Sequence, residues 1–565
     1  MPRAVLRRDR VIALLPNPIS DSALEDALFA SKAEVEAQDA DSLTISATPD
    51  RLDLLSEGGL ALHLQGVTGA ASGIPRYARA RARPLVAEIE VDPSVDPVRP
   101  AIAGFLVRAP DDAGLDTGTL EEAVRFQELI HATVGRDRRA ASLGIYPLDR
   151  LVPPFRYAAE PLDAVSFVPL DGSVEIPADR FFRDHPMAAR YGSLGRSGDR
   201  CLTLRDAEGT VLSLPPILNG RAGGEARPGD RRLFIESTGV RDRPVRESLG
   251  LLSVVFVARR WTVEPVAVRG PGPLAGDGRS IVTSHEIVLP SSTLQGLAGV
   301  RYPPAEVRRR LEQVRLSARA RSGGWSVEAP PWRPDLLTAV DAAEEVILAQ
   351  ALRPEDGIVP PSRTRGRRLP ETLFRRRFAS ALLGLGFAAP FTSILVSEAT
   401  VRRVPGATPI RLVNPVSAEF AYVRDRLLLS HMEVLGRNTR HGYPQRFAEV
   451  APVIVRDASA EPGAATRYHA GAILAQEGAG FADAASLADY LLRTVDAGSV
   501  REPAEVPGTI SGRSARVRVA GEPVGEVGEI GPEVLAGIGV PVPVAWMELD
   551  LTALGPLLGG PRATH

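Results

Sequence analysis

The sequence predicts a multidomain α+β protein, on three observations. Stretches with apolar residues at helical spacing alternate with short strand-like runs, and Gly-, Pro- or Arg-rich stretches separate blocks at about 265–279 and 358–370. At 565 residues the chain is also longer than one hydrophobic core organises.

Residues 1–80 read as a small mixed unit: a strand at Val11–Leu15, a helix at Asp21–Phe29, a turn at Thr48–Arg51 and a second helix over Leu54–His63, weakened by Gly58 and Gly59. Residues 85–265 form the largest block. Val86–Val91 alternates like a strand, Leu120–Val134 has helical periodicity, and short strands follow around Phe167, Leu202, Val211 and Leu233. Within it His131 reads as a packed or solvent-facing histidine, and Pro215-Pro216 as a strand stop.

Pro265–Arg279 reads as a linker. Residues 280–358 then combine a helix over Ala305–Ala318, with Val307, Leu311, Val314 and Leu316 inward, a strand near Trp325–Val327 and a second helix. That helix starts beyond Pro334, with Asp335 as its N-cap and Leu336, Leu337, Val340, Ala343 and Ile347 at helical spacing. Ile358–Pro370 is a basic linker. Residues 370–565 open with a helix, Glu371–Leu385, stopped by Gly386, and continue as apolar runs broken by glycine turns, which predicts an antiparallel sheet with helices.

A net charge of −2 with 24% charged residues is neither a general nucleic-acid-binding composition nor a disordered acidic one, so contact with RNA is expected to be local. Lys32 is the only lysine, an imbalance that reads as a coding bias toward arginine. Cys201 is alone, which excludes an intramolecular disulfide and a Cys-rich zinc site. The apolar run Leu249–Ala258 is too short to span a bilayer, and Met1–Leu15 lacks the core of a signal peptide; a cytoplasmic chain without membrane contact is expected.

The most chemically marked stretch is the acidic helix. Asp341, Glu344 and Glu345 stand three and four residues apart on one surface, with Asp335 near the first turn. Neighbouring carboxylates of this kind need Mg²⁺, a basic partner or solvent. A solvated acidic face that suits the helix dipole satisfies the pattern as well as a cation site does.

The full string resembles the metal-binding helix of the B5 domain in the beta subunit of phenylalanyl-tRNA synthetase, which carries Pro-Asp, a second Asp six residues on, and two acidic residues three and four further. Other strings follow in that family's order. Thr48-Pro49-Asp50-Arg51 leading to Leu54-Leu55-Ser56 resembles its B1 region, with Asp50 in place of Asn. Arg125–Ala132, Ser142–Asp149, Pro154–Tyr157, Leu212–Asn219 and Phe234–Gly239 resemble its B3/B4 editing domain of the archaeal and eukaryotic type. Gly525–Leu535 and Trp546–Leu551 resemble its degenerate class II synthetase core.

The resemblance implies a B1-like region at 1–80, a B3/B4 editing-like domain at 85–265, a winged-helix-like B5 domain at 280–358 and a class II-like antiparallel-sheet module at 370–565. It implies Mg²⁺ held by Asp335, Asp341, Glu344 and Glu345, and hydrolytic editing of Tyr-tRNA(Phe) at Ser213, Asn219 and Glu236. A mainly apolar phenylalanine site discriminates poorly against an added hydroxyl, so a second site that reads that hydroxyl makes chemical sense. The implied assembly is an alpha-two beta-two tetramer with the alpha subunit, acting on tRNA(Phe), with ATP and phenylalanine bound by the complex.

No catalytic residue for aminoacylation is expected in this chain. Met547-Glu548-Leu549 stands where an active class II enzyme places an arginine against the ATP phosphates, and a carboxylate there repels polyphosphate. Two rival readings remain at this point: a divergent paralogue outside translation, acting as a partner-binding subunit or stand-alone aminoacyl-tRNA deacylase, and a DNA-binding regulator built on the B5-like helices.

Overall fold

The structure is a computed structural model and describes residues 2–29, 31–75, 87–110, 114–349, 359 and 364–559. The chain divides into two compact units, Met1–Ile358 and Val359–His565.

The first unit begins with a three-stranded antiparallel sheet in which Ser42–Ala47 lies between Arg3–Arg7 and Ala33–Gln38. The helix Asp21–Phe29 forms as expected. Val11–Leu15 does not form a strand: Arg8–Ala13 is a short helix that buries only Val11. A short apolar run without alternation cannot separate strand from helix, and here the preceding Arg3–Arg7 takes the sheet edge. The second expected helix is a 3₁₀ turn, Leu52–Leu55, followed by the helix Glu57–Val67, capped by Ser56 Oγ accepting from the Gly59 N–H at 3.1 Å. Its glycine pair is a packing device. A Cβ on Gly58 would come 2.9 Å from that of Ala258, so glycine lets this buried helix press against the helix Asp242–Val257.

Two sheets follow. Thr262–Pro265, Ala101–Arg108, Arg232–Gly239 and Ala141–Pro147 form a four-stranded antiparallel sheet in that order, covered on one face by the helices Thr117–Ala132 and Asp242–Val257. Its other face meets a second sheet through a core in which Phe234 stacks on Phe155 at 4.2 Å. That second sheet runs Leu218–Asn219, Val211–Leu214, Arg200–Arg205, Phe155–Pro161, Glu88–Val91, Ala267–Arg269. Strand alternation sends Leu233 and Ile235 to the helical side and Phe234 and Glu236 to the side of the second sheet. The stretch expected as a linker from Pro265 is therefore structured at its start, since Ala267–Arg269 pairs in parallel with Glu88–Val91.

Next come the strands His285–Pro290, Ser317–Arg321 and Gly324–Ala329, with the helices Pro304–Gln313 and Ala339–Leu348 around a small core of their own. The first helix stops at Gln313, short of the expected Ala318, because Arg315 at φ 64° reverses the chain into a strand. Val314 and Leu316 are still buried, from the turn. Residues 358 and 360–363 of the basic linker Ile358–Pro370 lie outside the described residues, as does Val86.

The second unit is built on a six-stranded antiparallel sheet in the order Gln445–Arg456, Ala464–Ala475, Val544–Asp550, Glu522–Ile530, Thr509–Val519, Ser499–Pro503. Met547 and Leu549 face the helices Pro370–Gly384, Phe481–Arg493 and Leu551–Leu557. Trp546 faces the helix Leu427–Arg437 on the opposite side. Among the described residues no helix is long and apolar enough to cross a membrane.

Candidate functional site

Where the two sheets of the first unit part, a cavity of about 330 Å³ opens. Ser213, Asn219 and Glu236, singled out from the sequence, all line it. Glu236 stands in the middle of its strand, opposite Gly144 on one neighbour and Gly104 on the other. Ser213 and Asn219 pair across the strands Val211–Leu214 and Leu218–Asn219. Pro215 and Pro216 turn the chain between those strands and form part of the wall.

The Glu236 carboxyl is fully buried, and burial pushes it up to about 7 against the opposing pull of the Tyr146 hydrogen bond and the Arg99 charge. Its Oε1 accepts from the Tyr146 hydroxyl at 2.9 Å, and the same phenol oxygen lies 2.9 Å from Ser213 Oγ. Its Oε2 has no hydrogen-bond partner in the protein. A buried acceptor left open beside a cavity is costly unless a ligand or water meets it. The remaining wall is mainly apolar, including Leu120, Val124, Leu143, Ile145 and Leu214. Asn219 is engaged with its own loop, its Nδ2 donating to the Gly224 carbonyl at 3.2 Å.

Two wall residues were not singled out from the sequence. Tyr146 falls within the string Ser142–Asp149 that resembles the editing domain but was given no role there; the register, with Gly144 opposite Glu236, reveals the contact. A Cβ on Gly144 would come 2.2 Å from the Tyr146 hydroxyl and 2.6 Å from Glu236 Oε1, so that glycine makes the room both groups occupy. Arg138 is the second. It ends a run of left-handed residues, Arg136, Asp137 and Arg138 at φ 50°, 54° and 63°. Its guanidinium donates to the carbonyls of Pro216 and Ile217 at 3.2 and 3.0 Å and to Glu128 at 2.9 Å, pinning the proline turn. His131 is a packed residue, accepting from the Leu143 N–H at 2.8 Å.

The four carboxylates of the acidic helix do not converge. Asp335 is not the N-cap; Thr338 is, and Asp341 Oδ2 reaches back to accept from the N–H groups of Leu337 and Thr338 at 2.9 and 2.6 Å. Asp335 is gripped by Arg333 through Nε and Nη2 at 2.9 and 2.7 Å. The same Nη2 donates to Glu345 Oε1 at 2.7 Å. Glu344 faces the Lys32 ammonium at 3.1 Å. Among the described residues no three His, Cys, Asp or Glu side chains gather as a metal site. Mg²⁺ demands near-octahedral oxygen coordination at about 2.0–2.1 Å, whereas these carboxylates share no centre and each has at least one oxygen engaged by a cation or N–H group. The expected Mg²⁺ does not fit this arrangement.

In the second unit Glu548 is buried and lies against the start of the helix Leu427–Arg437, accepting from the Leu427 and Leu428 N–H groups at 2.8 and 3.1 Å. His469 Nδ1 stands 2.7 Å from the same carboxylate, and Asp550 lies 3.8 Å from Nε2. Burial alone would lower His469; the nearby Asp550 carboxylate and the bond to Glu548 override that and raise it to about 9. The result is a closed ion cluster around an imidazolium. Arg467 joins it from the part-exposed side, pairing with Asp550 at 2.9 Å.

A family model described as phenylalanyl tRNA synthetase beta chain CLM domain matches residues 357–551, and one described as tRNA synthetase B5 domain matches 287–350. The chain is similar to the phenylalanine-tRNA ligase beta subunit of Korarchaeum cryptofilum, 30% identical over 547 residues that cover 95% of this chain and 96% of that one. It is 29% identical to that of Archaeoglobus fulgidus, over 92% of this chain and 93% of the relative. Among solved structures, an N-terminal fragment of the phenylalanyl-tRNA synthetase beta subunit from Pyrococcus horikoshii shares the fold, with a TM-score of 0.55 and 24% identity, covering 62% of this chain and all of the fragment. Matches running along the whole chain favour the subunit reading over a paralogue or a DNA-binding regulator.

Proposed function

The chain belongs to the family of phenylalanine-tRNA ligase beta subunits, and on that premise we propose that it joins an alpha subunit in an alpha-two beta-two complex that charges tRNA(Phe) in the cytoplasm and clears mischarged Tyr-tRNA(Phe). Residues 1–80 serve as a B1-like region, 85–265 as the editing domain, 280–358 as the B5 domain and 370–565 as the class II-like module. Phenylalanine, ATP and its Mg²⁺ belong to the ligation site on alpha.

One observation carries the editing reading: buried Glu236, whose Oε2 has no partner in the protein, lines a mostly apolar cavity. An aromatic side chain suits the apolar wall, and a phenol hydroxyl supplies the hydrogen bond that Oε2 lacks, whereas phenylalanine leaves it unmet. A site built around such a carboxyl rejects the analogue lacking the hydroxyl far more strongly than an apolar pocket rejects the hydroxyl. In the hydrolysis, water adds to the ester carbonyl, the bond to the ribose oxygen breaks, and a proton passes to that oxygen. Glu236 then serves recognition, with Ser213 and Asn219 shaping the wall.

Co-expression with the host's alpha subunit tests the assembly: charging of tRNA(Phe) by the complex and by neither chain alone is expected. A charged tRNA from either chain alone would sink the division of labour. For editing, the complex carrying Glu236→Gln should keep charging and lose preference for Tyr-tRNA(Phe) over Phe-tRNA(Phe) in deacylation. Retained preference would remove Glu236 from recognition.

A further inference from the structure

In a chain whose basic residues are otherwise all arginine, the single lysine sits where the B5-type metal was expected. Lys32 occupies the turn between the helix Asp21–Phe29 and the strand Ala33–Gln38, in a left-handed conformation at φ 56°. That conformation is uncommon for a residue with a Cβ. Its side chain is 14% exposed, and its ammonium lies 3.1 Å from Glu344, 3.7 Å from Glu345 and 3.5 Å from Asp50.

Behind it, Arg333 holds Asp335 and Glu345, and Arg51 holds Asp53 through two hydrogen bonds of 2.9 Å. The buried carboxylates Asp53, Asp335 and Glu345 are thus matched by three covered cations, Arg51, Arg333 and Lys32, while Asp50 and Glu344 keep contact with solvent. Buried charges persist only when paired in this way. Burial would raise Glu345, but the charges of Arg333, Arg51 and Lys32 win and hold it at about 2. An ammonium is a compact point charge, closer in shape to a bare ion than the planar guanidinium used elsewhere in the chain.

We infer that Lys32 is the built-in counter-ion of the acidic B5 helix, docking the N-terminal region onto that helix with no divalent metal at Asp335, Asp341, Glu344 and Glu345. This inference does not depend on editing. The ammonium takes oxygens of Glu344 and Glu345 that Mg²⁺ would need, so the chain carries its cation covalently and the junction is indifferent to chelators.

The test uses the full-length chain, alone and in complex with its alpha partner, without nucleotide. Thermal unfolding and sedimentation are followed in millimolar Mg²⁺ and in EDTA, and retained metal is measured after gel filtration. The wild-type chain should unfold at the same temperature in both buffers, keep its assembly state and retain no stoichiometric metal. Lys32→Met keeps most of the apolar stem of the side chain and removes the charge. It should unfold about 3 °C lower in EDTA and regain part of that in Mg²⁺, as the vacated carboxylates accept the ion. Lys32→Arg should recover part of the loss without Mg²⁺. A wild-type chain that loses stability in EDTA, or that retains a metal ion which Glu344→Gln releases, would overturn the inference even if Lys32→Met fails to fold.

Discussion

The Tyr146 hydroxyl donates to Glu236 Oε1 at 2.9 Å, which leaves Oε2 as the acceptor without a partner on a carboxyl that lines the cavity. The donor and acceptor sit on adjacent strands, Ala141–Pro147 and Arg232–Gly239, and the contact exists because Gly144 between them carries no side chain.

Tyr146→Phe keeps the ring and removes that bond. The hydrogen bond pulls the Glu236 carboxyl downward, so its loss moves the titration midpoint further above 7. With Oε1 also free, a phenol gains a second place to bind and its position is less defined. A single hydrogen bond is worth about 0.5–1.5 kcal/mol, so Tyr-tRNA(Phe) deacylation should fall by up to about tenfold. A pH-rate profile with an unmoved midpoint would sever Tyr146 from Glu236.

Glu236 should also mark the stability curve. Its folded-state value, about 7, lies above the ordinary 4.5, so the folded protein binds the proton more tightly than the unfolded chain. The associated stability is fully present below about pH 4.5 and is lost as pH rises through 7, by about 3 kcal/mol in all. Glu236→Gln removes this slope. Denaturant unfolding of the two chains between pH 5 and 8 checks it, and parallel curves would contradict the assignment.

Gly144→Ala should damage the site more than its single methyl suggests. The new Cβ falls on the Tyr146 hydroxyl and Glu236 Oε1, both on buried, rigid groups. Overpacking of this kind costs about 1–3 kcal/mol. We expect a lower unfolding temperature together with loss of editing and retained charging; an unfolding temperature equal to wild type would show that the ring can yield.

These contacts show where sequence reasoning reached and where it stopped. Periodicity and punctuation located the helix Asp21–Phe29 and the helix Pro370–Gly384 with its stop at Gly386, φ 81°. They failed at Val11–Leu15, where a short apolar run has no intrinsic preference, and at Ala305–Ala318, where the reversal at Arg315 carries no Gly or Pro signal. Ser213, Asn219 and Glu236 were found by resemblance, and the structure brings them to one cavity. Tyr146 and Arg138 were invisible because their roles depend on strand register and on a left-handed turn. The acidic helix was legible as a row of carboxylates, but its partner Lys32 lies about three hundred residues earlier in the chain, beyond any local pattern.

The second unit should respond to alkali through His469. Its folded-state value, about 9, lies above the ordinary 6.5, so the stability from its pairing with Glu548 and Asp550 is complete below pH 6.5 and is lost as pH rises through 9. His469→Gln should flatten that decline while lowering stability near neutrality, where a neutral amide leaves Glu548 with only the helix N–H groups. Equal steepness in the two chains between pH 7 and 9 would mean the imidazolium is not the titrating group.

The solitary lysine has a practical corollary. Lys32 bears the only ε-amine in the sequence, held as ammonium beneath Asp50, Glu344 and Glu345. Acylating and crosslinking reagents need a neutral, reachable amine. In the folded chain that amine should stay silent, and its labelling becomes a single-site clock for the moments when the N-terminal region lifts away.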